Sequence, residues 1–267
     1  MTILSVSNLS KQFGGLLANS DISFQVEQQQ IVGIIGPNGA GKTTFFNLIS
    51  GFLTPTTGKV VFSGNDITRL NPHQTASLGM VRTFQHTSVF SELTVLENIL
   101  TAQHLETKKI FKYAFNQRKK YVEERKKAEQ KAMDILLLMG LEEKKELIAK
   151  NLPYGEQRKL EIAIALAANP KLLLLDEPAA GMNDTESARL VEIIKKLKED
   201  GMTILIVEHD MKVVMNLCDY IIVLDQGTKI AEGTPQEISK NPRVIEVYLG
   251  TPEEDENPKM EGSVENA

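Results

Sequence analysis

This chain of 267 residues has little cysteine, no long apolar run and no excess of positive charge. A single cysteine, Cys218, excludes an intrachain disulfide. There is no run of about 18 apolar residues, and no basic-then-apolar leader follows Met1, so we expect a cytosolic chain that does not itself span the membrane. The formal net charge of −5 argues against non-specific binding to nucleic acid, because the average surface would repel phosphates.

The chain does contain enough apolar residues, 42% of the total, to bury a large core. Its most informative segment is a complete phosphate-binding loop, which directly follows the apolar, strand-length run 31–35. The loop consists of Gly36, Pro37, Asn38, Gly39, Ala40, Gly41, Lys42 and Thr43. Its glycines let main-chain N–H groups turn toward phosphate oxygens, and Thr44 continues into a helix whose positive end faces the same anion.

Two side chains of this loop predict a nucleoside triphosphate together with Mg²⁺. Lys42 is expected to bridge the β- and γ-phosphates. The hydroxyl of Thr43 is expected to take one position in the octahedral oxygen shell of the ion.

A second motif supplies two carboxylates. Asp176 and Glu177 directly follow the four leucines at 172–175. Because a buried parallel strand delivers the side chains at its carboxyl end to the ligand crevice, we expect both carboxylates near the phosphates. Asp176 is predicted to hold Mg²⁺ through water, and Glu177 to polarise a water for in-line attack as the general base.

The pattern along the chain indicates an α/β protein. A β-rich start gives way at about residue 72 to helical periodicity, which includes 118–138 and continues to about residue 152. Short apolar runs follow at 172–175, 203–207 and 220–224, as is typical of parallel strands buried on both faces. The tail 251–267 is acidic and poor in apolar residues, so we expect it to be disordered.

In their order, these motifs resemble those of the ATP-binding cassette (ABC) ATPases, over about residues 3–250. The family's signature, usually Leu-Ser-Gly-Gly-Gln, is similar to the stretch 152–157 here, with Gly155 and Gln157 in common. Gln85 is similar to the family's glutamine loop and His209 to its switch histidine. Phe13 lies where an aromatic ring usually stacks on adenine.

The resemblance implies a fold and further roles. The fold is a P-loop NTPase core with a mostly parallel sheet, an N-terminal antiparallel β subdomain and an inserted helical subdomain. One domain spans 1–250, with the core and β subdomain at 1–85 and 165–250 and the helical subdomain at about 86–164. Gln85 and His209 join Glu177 as catalytic residues, and Gln85 also senses Mg²⁺. The nucleotide contacts contributed by the signature are Tyr154, Gly155, Glu156 and Gln157.

The chain departs from the family pattern at two positions. Pro153 replaces the signature serine whose hydroxyl bonds the γ-phosphate held by the opposite subunit, so we expect ATP-driven closure to be weakened. Proline also suits the start of a helix, and we expect one from Tyr154. Asn183 stands where the family usually has an aspartate that contacts the opposing subunit.

The resemblance also implies partners. Two cassettes, identical or paralogous, sandwich two ATP molecules and pass their movement to membrane permease subunits, and indirectly to a substrate-binding protein. The chain is then peripheral, on the cytoplasmic face of the cell membrane, and binds no nucleic acid. We expect the permease contact at 88–95, with exposed Val89, Phe90 and Leu93, although these residues could instead be core of the helical subdomain.

Four short stretches of the sequence favour one branch of the family. The stretches 79–85, 176–181, 208–211 and 247–250 are similar to the cassette subunit of branched-chain (hydrophobic) amino acid importers. Cassettes for lipopolysaccharide export or for urea and amide import are similar as well. A soluble cassette acting on nucleic acid, or a non-hydrolysing ATP sensor, remains a weaker alternative. The segment 108–131, with ten basic and three acidic residues, either faces anionic lipid or is a solvated helix face.

Overall fold

The computed structural model describes residues 1–83, 89–103 and 118–249, except for the side chains of residues 118, 119, 121 and 249. Three sequence predictions fall outside these ranges: the role of Gln85, the first part of the basic segment 108–131, and the acidic tail 251–267. Within the described ranges, no helix combines the length and the apolar character needed to cross a membrane.

In the described part of the chain, ten strands form two sheets. They are β1 (Thr2–Phe13), β2 (Leu16–Glu27), β3 (Ile31–Ile35), β4 (Thr57–Phe62), β5 (Asn65–Asp66), β6 (Met80–Arg82), β7 (Leu172–Asp176), β8 (Thr203–Val207), β9 (Tyr220–Asp225) and β10 (Thr228–Gly233). The first sheet is antiparallel, in the order β2-β1-β4-β5. The second has the order β10-β9-β3-β8-β7-β6, and all its pairs are parallel except β9 with β10. The predicted mostly parallel core sheet is therefore confirmed.

Among the described residues there are nine α-helices. They are α1 (Lys42–Ile49), α2 (Pro72–Ser77), α3 (Val95–Ala102), α4 (Arg118–Met139), α5 (Tyr154–Ala167), α6 (Asp184–Glu199), α7 (Met211–Leu217), α8 (Pro235–Ile238) and α9 (Pro242–Leu249). The helix predicted over 118–138 and the helix start predicted at Tyr154 are both confirmed.

The central strand β3 shows how the two faces are filled. Ile31 and Ile35 pack into a core shared with helices α3 to α7, whereas Val32 and Ile34 pack into a core shared with α1 and the antiparallel sheet. Every residue of β3, β7 and β8 is buried, as expected for strands whose both faces are covered. The apolar runs that predicted these strands are a direct consequence of that double burial.

Strand register decides where the site lies. Ile34 and Asp176 are both paired with Val207, so β3, β7 and β8 end at the same level. Because the three strands are parallel, the segments that follow them meet at one edge of the sheet. The phosphate-binding loop, Glu177 and the predicted switch histidine lie in these segments, and Asp176 is the last residue of β7.

Some elements carry no apolar run and were not predicted from the sequence. The edge strand β10 is mostly half-buried or exposed, so its sequence lacks the continuous apolar character of the central strands. The short helices α8 and α9 follow it, and each begins at a proline.

The close approach of α7 to the central sheet can be tested at Gly33. A Cβ atom added there would lie 2.7 Å from the Sγ of Cys218. We expect Gly33→Ala to lower the free energy of unfolding by about 1–3 kcal/mol because it overpacks the core. Cys218→Ala removes the obstructing sulfur, so the double variant should recover part of this loss. Urea unfolding of both single variants and the double variant measures the coupling, and effects that add within about 0.5 kcal/mol would contradict the predicted contact.

Candidate functional site

The phosphate-binding loop is held from behind by main-chain atoms. A Cβ atom at Gly36 would lie 2.1 Å from the carbonyl oxygen of Leu224, and one at Gly41 would lie 2.6 Å from that of Ala18. Both glycines also have positive φ angles, 155° and 89° respectively. Gly41 is the N-cap of α1 and provides no side-chain cap, so the first N–H groups of the helix remain available to an anion.

A cleft of about 640 Å³ opens in front of this loop. The residues that line it come from the loop, from β2 and from the turns after β7 and β9: Leu16, Leu17, Ala18, Asn38, Gly39, Ala40, Gly41, Lys42, Thr43, Thr44, Glu177, Gln226 and Gly227. The structure thus brings most of the predicted phosphate-loop residues together with the predicted general base. Gly36 and Pro37 lie behind the lining, where their carbonyl groups accept hydrogen bonds from Lys42.

The ammonium group of Lys42 is the buried positive charge of the cleft. Lys42 is only 7% exposed, and its Nζ donates hydrogen bonds to the carbonyl oxygens of Gly36 at 2.7 Å and Pro37 at 3.0 Å. Burial lowers the pKa of Lys42, and the negative charge of Glu177 acts in the opposite direction. A polyphosphate would place negative charge beside this ammonium and so compensate for the solvation by water that burial removes.

Glu177 and His209 lie together at the rim. Glu177 Oε2 is 3.7 Å from Nδ1 of His209, whose side chain is 57% exposed. The backbone of Glu177 has a φ angle of 45°, an unfavourable value for a residue with a side chain, and its N–H donates to the carbonyl of Val207 at 2.9 Å. A strained turn anchored to β8 therefore presents the carboxylate to the cleft.

Glu208 is a structural link that the sequence did not reveal. Its carboxylate is almost completely buried and accepts hydrogen bonds from the N–H groups of Ala179 at 2.9 Å and His209 at 3.2 Å. Burial raises the pKa of Glu208, and the hydrogen bonds from the backbone oppose that shift. The side chain joins the turn after β7 to the turn after β8, and so fixes the spacing between Glu177 and His209.

Asp176 lies beneath the cleft, not in its lining. Its side chain is 1% exposed and forms an ion pair with Arg82, Nη2 to Oδ2, at 2.7 Å. Thr43 is exposed at the start of α1 and lines the cleft. A hydroxyl group and a carboxylate are hard oxygen donors of the kind that Mg²⁺ binds together with phosphate oxygens and water, so this donor set fits the predicted ion. Among the described residues, no cluster of three or more His, Cys, Asp or Glu could hold a metal by itself.

The predicted adenine-stacking residue lies at the edge of the site. Phe13 is 44% exposed, and Nζ of Lys11 lies 4.9 Å from its ring centroid. Phe13 does not line the cleft, whereas Leu16 and Leu17, just across the hairpin, do. Their exposures of 67% and 49% give the cleft an apolar wall that the sequence did not predict, because the two leucines look like an ordinary strand start. Stacking of adenine on Phe13 stays a prediction.

The signature residues form the open start of α5. Pro153 is the N-cap, and its carbonyl accepts from the N–H groups of Glu156 and Gln157, each at 3.0 Å, without any side-chain cap. The carboxylate of Glu156 is paired with Lys144, and the amide of Gln157 donates to the carbonyl of Leu152 at 2.8 Å. None of the signature side chains lines the cleft of its own protomer, as the resemblance implies for residues that serve a neighbour.

The start of α5 also packs against the first turn of α6 and the loop that precedes it. A Cβ atom at Gly155 would lie 3.1 Å from the carboxyl carbon of Glu186, and one at Gly181 would lie 2.9 Å from the ring of Tyr154. Asn183 caps α6 in a capping box with Glu186. Asn183 therefore has a local structural role at the position where the family usually has an aspartate.

The predicted permease-facing segment is only partly exposed. Phe90 is 51% exposed, but Val89 and Leu93 are half-buried and Val89 packs against the core, so the prediction that all three are exposed is wrong for these two. The reason is Asn98, a fully buried residue whose amide donates to the carbonyls of Phe90 and Thr94 and accepts from the N–H of Phe90. These bonds draw the segment onto α3 and leave Phe90 outside.

A phosphate-binding loop, a carboxylate pair and a histidine at one edge of a mostly parallel sheet define a P-loop nucleotide-binding protein. Residues 19–180 match the ABC transporter family, and residues 228–254 match the family described as branched-chain amino acid ATP-binding cassette transporter. The chain belongs to the ABC transporter family. The sequence resemblance to this family is thereby confirmed.

Known proteins are similar to this chain over nearly all of its length. The high-affinity branched-chain amino acid transport ATP-binding protein BraF of Pseudomonas aeruginosa is 44% identical over 249 residues, 93% of this chain and 98% of BraF. The corresponding LivG protein of Escherichia coli strain K12 is 45% identical with the same coverage. The crystal structure of the ADP conformation of MJ1267, an ATP-binding cassette of an ABC transporter, has a TM-score of 0.81 and 34% identity, and covers 94% of this chain and 100% of MJ1267.

Proposed function

We propose that this chain is the ATP-hydrolysing subunit of a membrane transporter that imports branched-chain or other hydrophobic amino acids. The cleft carries the proposal for ATP hydrolysis, because the buried ammonium of Lys42 lies in the same cleft as Glu177, with His209 at its rim. The cargo is supported by the names of BraF and LivG and by the match of residues 228–254. These observations favour amino acid import over lipopolysaccharide export or amide import.

Each side chain has a distinct part in the reaction. Main-chain N–H groups of the loop and Lys42 bind and orient the β- and γ-phosphates. Glu177 holds the attacking water and accepts its proton. His209 donates a hydrogen bond to the γ-phosphate, a role supported by the distance of 3.7 Å between its Nδ1 and Oε2 of Glu177. Thr43, Asp176 and Gln85 would hold Mg²⁺, which would neutralise part of the phosphate charge.

The assembly we propose is a dimer of cassettes, identical or paralogous. The uncapped start of α5 in one protomer faces the phosphates held by the other, because a helix N-terminus attracts an anion that each single cleft leaves partly uncovered. Loss of the γ-phosphate removes the contact that favours the closed pair. The movement passes to permease subunits at the cytoplasmic face of the membrane, with Phe90 as the exposed apolar contact, and a substrate-binding protein delivers the cargo.

Glu177→Gln tests the catalytic assignment. The amide keeps the shape of the side chain but cannot accept a proton, so single-turnover hydrolysis should fall by about 10²–10⁴-fold while ATP binding persists. Glu199→Gln, an exposed position at the end of α6, is the matched control and should hydrolyse ATP at the wild-type rate. Hydrolysis by Glu177→Gln at the wild-type rate would contradict the assignment.

Pro153→Ser tests the proposed contact between protomers. A serine hydroxyl restores a hydrogen bond to the γ-phosphate of the opposing ATP, worth about 1.5–3 kcal/mol for a charged acceptor. We expect ATP-dependent dimerisation to tighten about 10–100-fold for each of the two ATP sites, measured by analytical ultracentrifugation in the Glu177→Gln background. Pro153→Ala removes the proline without adding a hydroxyl and is the control. Equal dimerisation of the Ser and Ala variants would contradict the contact.

A further inference from the structure

The residue that stands out beyond the roles already described is Arg82, at the end of β6. We propose that Arg82 is a positioning residue that fixes the Asp176 carboxylate for Mg²⁺ and ties it to the helix that follows the phosphate-binding loop. The inference rests on the proposed function, since it concerns the ion that Asp176 is expected to hold.

The ion pair between Arg82 and Asp176 is buried and close. Nη2 of Arg82 lies 2.7 Å from Oδ2 of Asp176, and the two side chains are only 9% and 1% exposed. A guanidinium group is planar and presents its donors in a fixed arrangement, so it restricts the orientation of a carboxylate more strongly than a lysine ammonium does.

The other end of the guanidinium is fixed to α1. Nη1 donates to Oδ1 of Asn47 at 2.7 Å and to Oγ of Ser50 at 3.0 Å. The guanidinium carbon lies 5.2 Å from the ring centroid of Phe46 and 5.5 Å from that of Phe52, within the range of cation–π contact. One arginine therefore joins β6, β7 and the helix that begins with Lys42 and Thr43.

The backbone of β6 supports the same carboxylate. Arg82 is paired with Leu174 of β7, and the N–H of Thr83 donates to the carbonyl of Leu174 at 2.9 Å. The N–H of Asp176 in turn lies 3.4 Å from the hydroxyl oxygen of Thr83. The adjacent residues Arg82 and Thr83 thus hold the side chain and the main chain of Asp176, respectively. They precede Gln85 by three and two positions in the sequence.

Stability alone is a weak reason for such an arrangement. The desolvation of two buried charges offsets much of their attraction, and apolar replacements of similar volume are often no less stable. Nε of Arg82 is also buried without a hydrogen-bond partner in the part of the chain that the structure describes, which is unfavourable. The benefit we infer is a fixed orientation of the Asp176 carboxylate, because groups that hydrogen-bond to a metal ligand orient that ligand.

The test compares ATP affinity with and without Mg²⁺ in the full-length chain. ATP is titrated into wild type, Arg82→Met, Arg82→Lys and the exposed control Arg189→Met, once with Mg²⁺ and once with a chelator. The readout is the gain in affinity that Mg²⁺ confers. We expect Arg82→Met to lose about 10–100-fold of this gain with unchanged Mg²⁺-free affinity, Arg82→Lys to keep part of it, and Arg189→Met to equal wild type.

The outcomes separate this inference from the proposed function. Wild type without any Mg²⁺-dependent gain would contradict the proposed ion site itself. If wild type shows the gain and Arg82→Met retains it in full, the role of Arg82 is overturned and the proposed function is not. An equal loss of ATP affinity with and without Mg²⁺ would also overturn that role, because a merely structural residue would cause it. If Arg82→Met does not fold, as judged by circular dichroism, Asn47→Ala with Ser50→Ala removes the anchor on α1 and should reduce the gain. An unchanged gain in that double variant overturns the inference.

Discussion

The site depends on one buried positive charge, the ammonium of Lys42 held against the carbonyls of Gly36 and Pro37. Its loop cannot turn away from the cleft, because the carbonyls of Leu224 and Ala18 fill the space behind two of its glycines. Burial makes the charge costly in the absence of an anion, as the lowered pKa of Lys42 reflects. A ligand with high negative charge is therefore what this geometry favours.

The remaining groups reach that charge through the register of three parallel strands. Since β3, β7 and β8 end level with one another, short turns suffice to bring Glu177 and His209 to the rim. Glu208 holds two of these turns together through backbone N–H groups, and Arg82 holds the strand end beneath them. The buried side chains of Glu208 and Arg82 thus fix the spacing of Glu177 and His209, which is the kind of preorganisation on which electrostatic catalysis relies.

Sequence reasoning found those parts of the site whose chemistry is local. The loop at 36–43 and the pair Asp176 and Glu177 are contiguous, and each directly follows an apolar strand that predicts its place at the sheet edge. Arg82, Glu208 and the apolar wall at 16–17 depend on which strands are neighbours, and no local pattern encodes that. The half-burial of Val89 has a different cause, the hydrogen bonds between its neighbour Phe90 and the buried amide of Asn98, which the apolar pattern of the segment does not show.

The most direct measurement of the central claim is equilibrium binding of ATP to Lys42→Met, a change that removes the buried charge and keeps an unbranched side chain. The exposed Lys240→Met is the control, and thermal unfolding confirms that both variants are folded. The account predicts a loss of about 10–100-fold in ATP affinity for Lys42→Met and wild-type affinity for Lys240→Met, since a hydrogen bond to a charged group is removed only in the first. A folded Lys42→Met chain that binds ATP as tightly as wild type would contradict it.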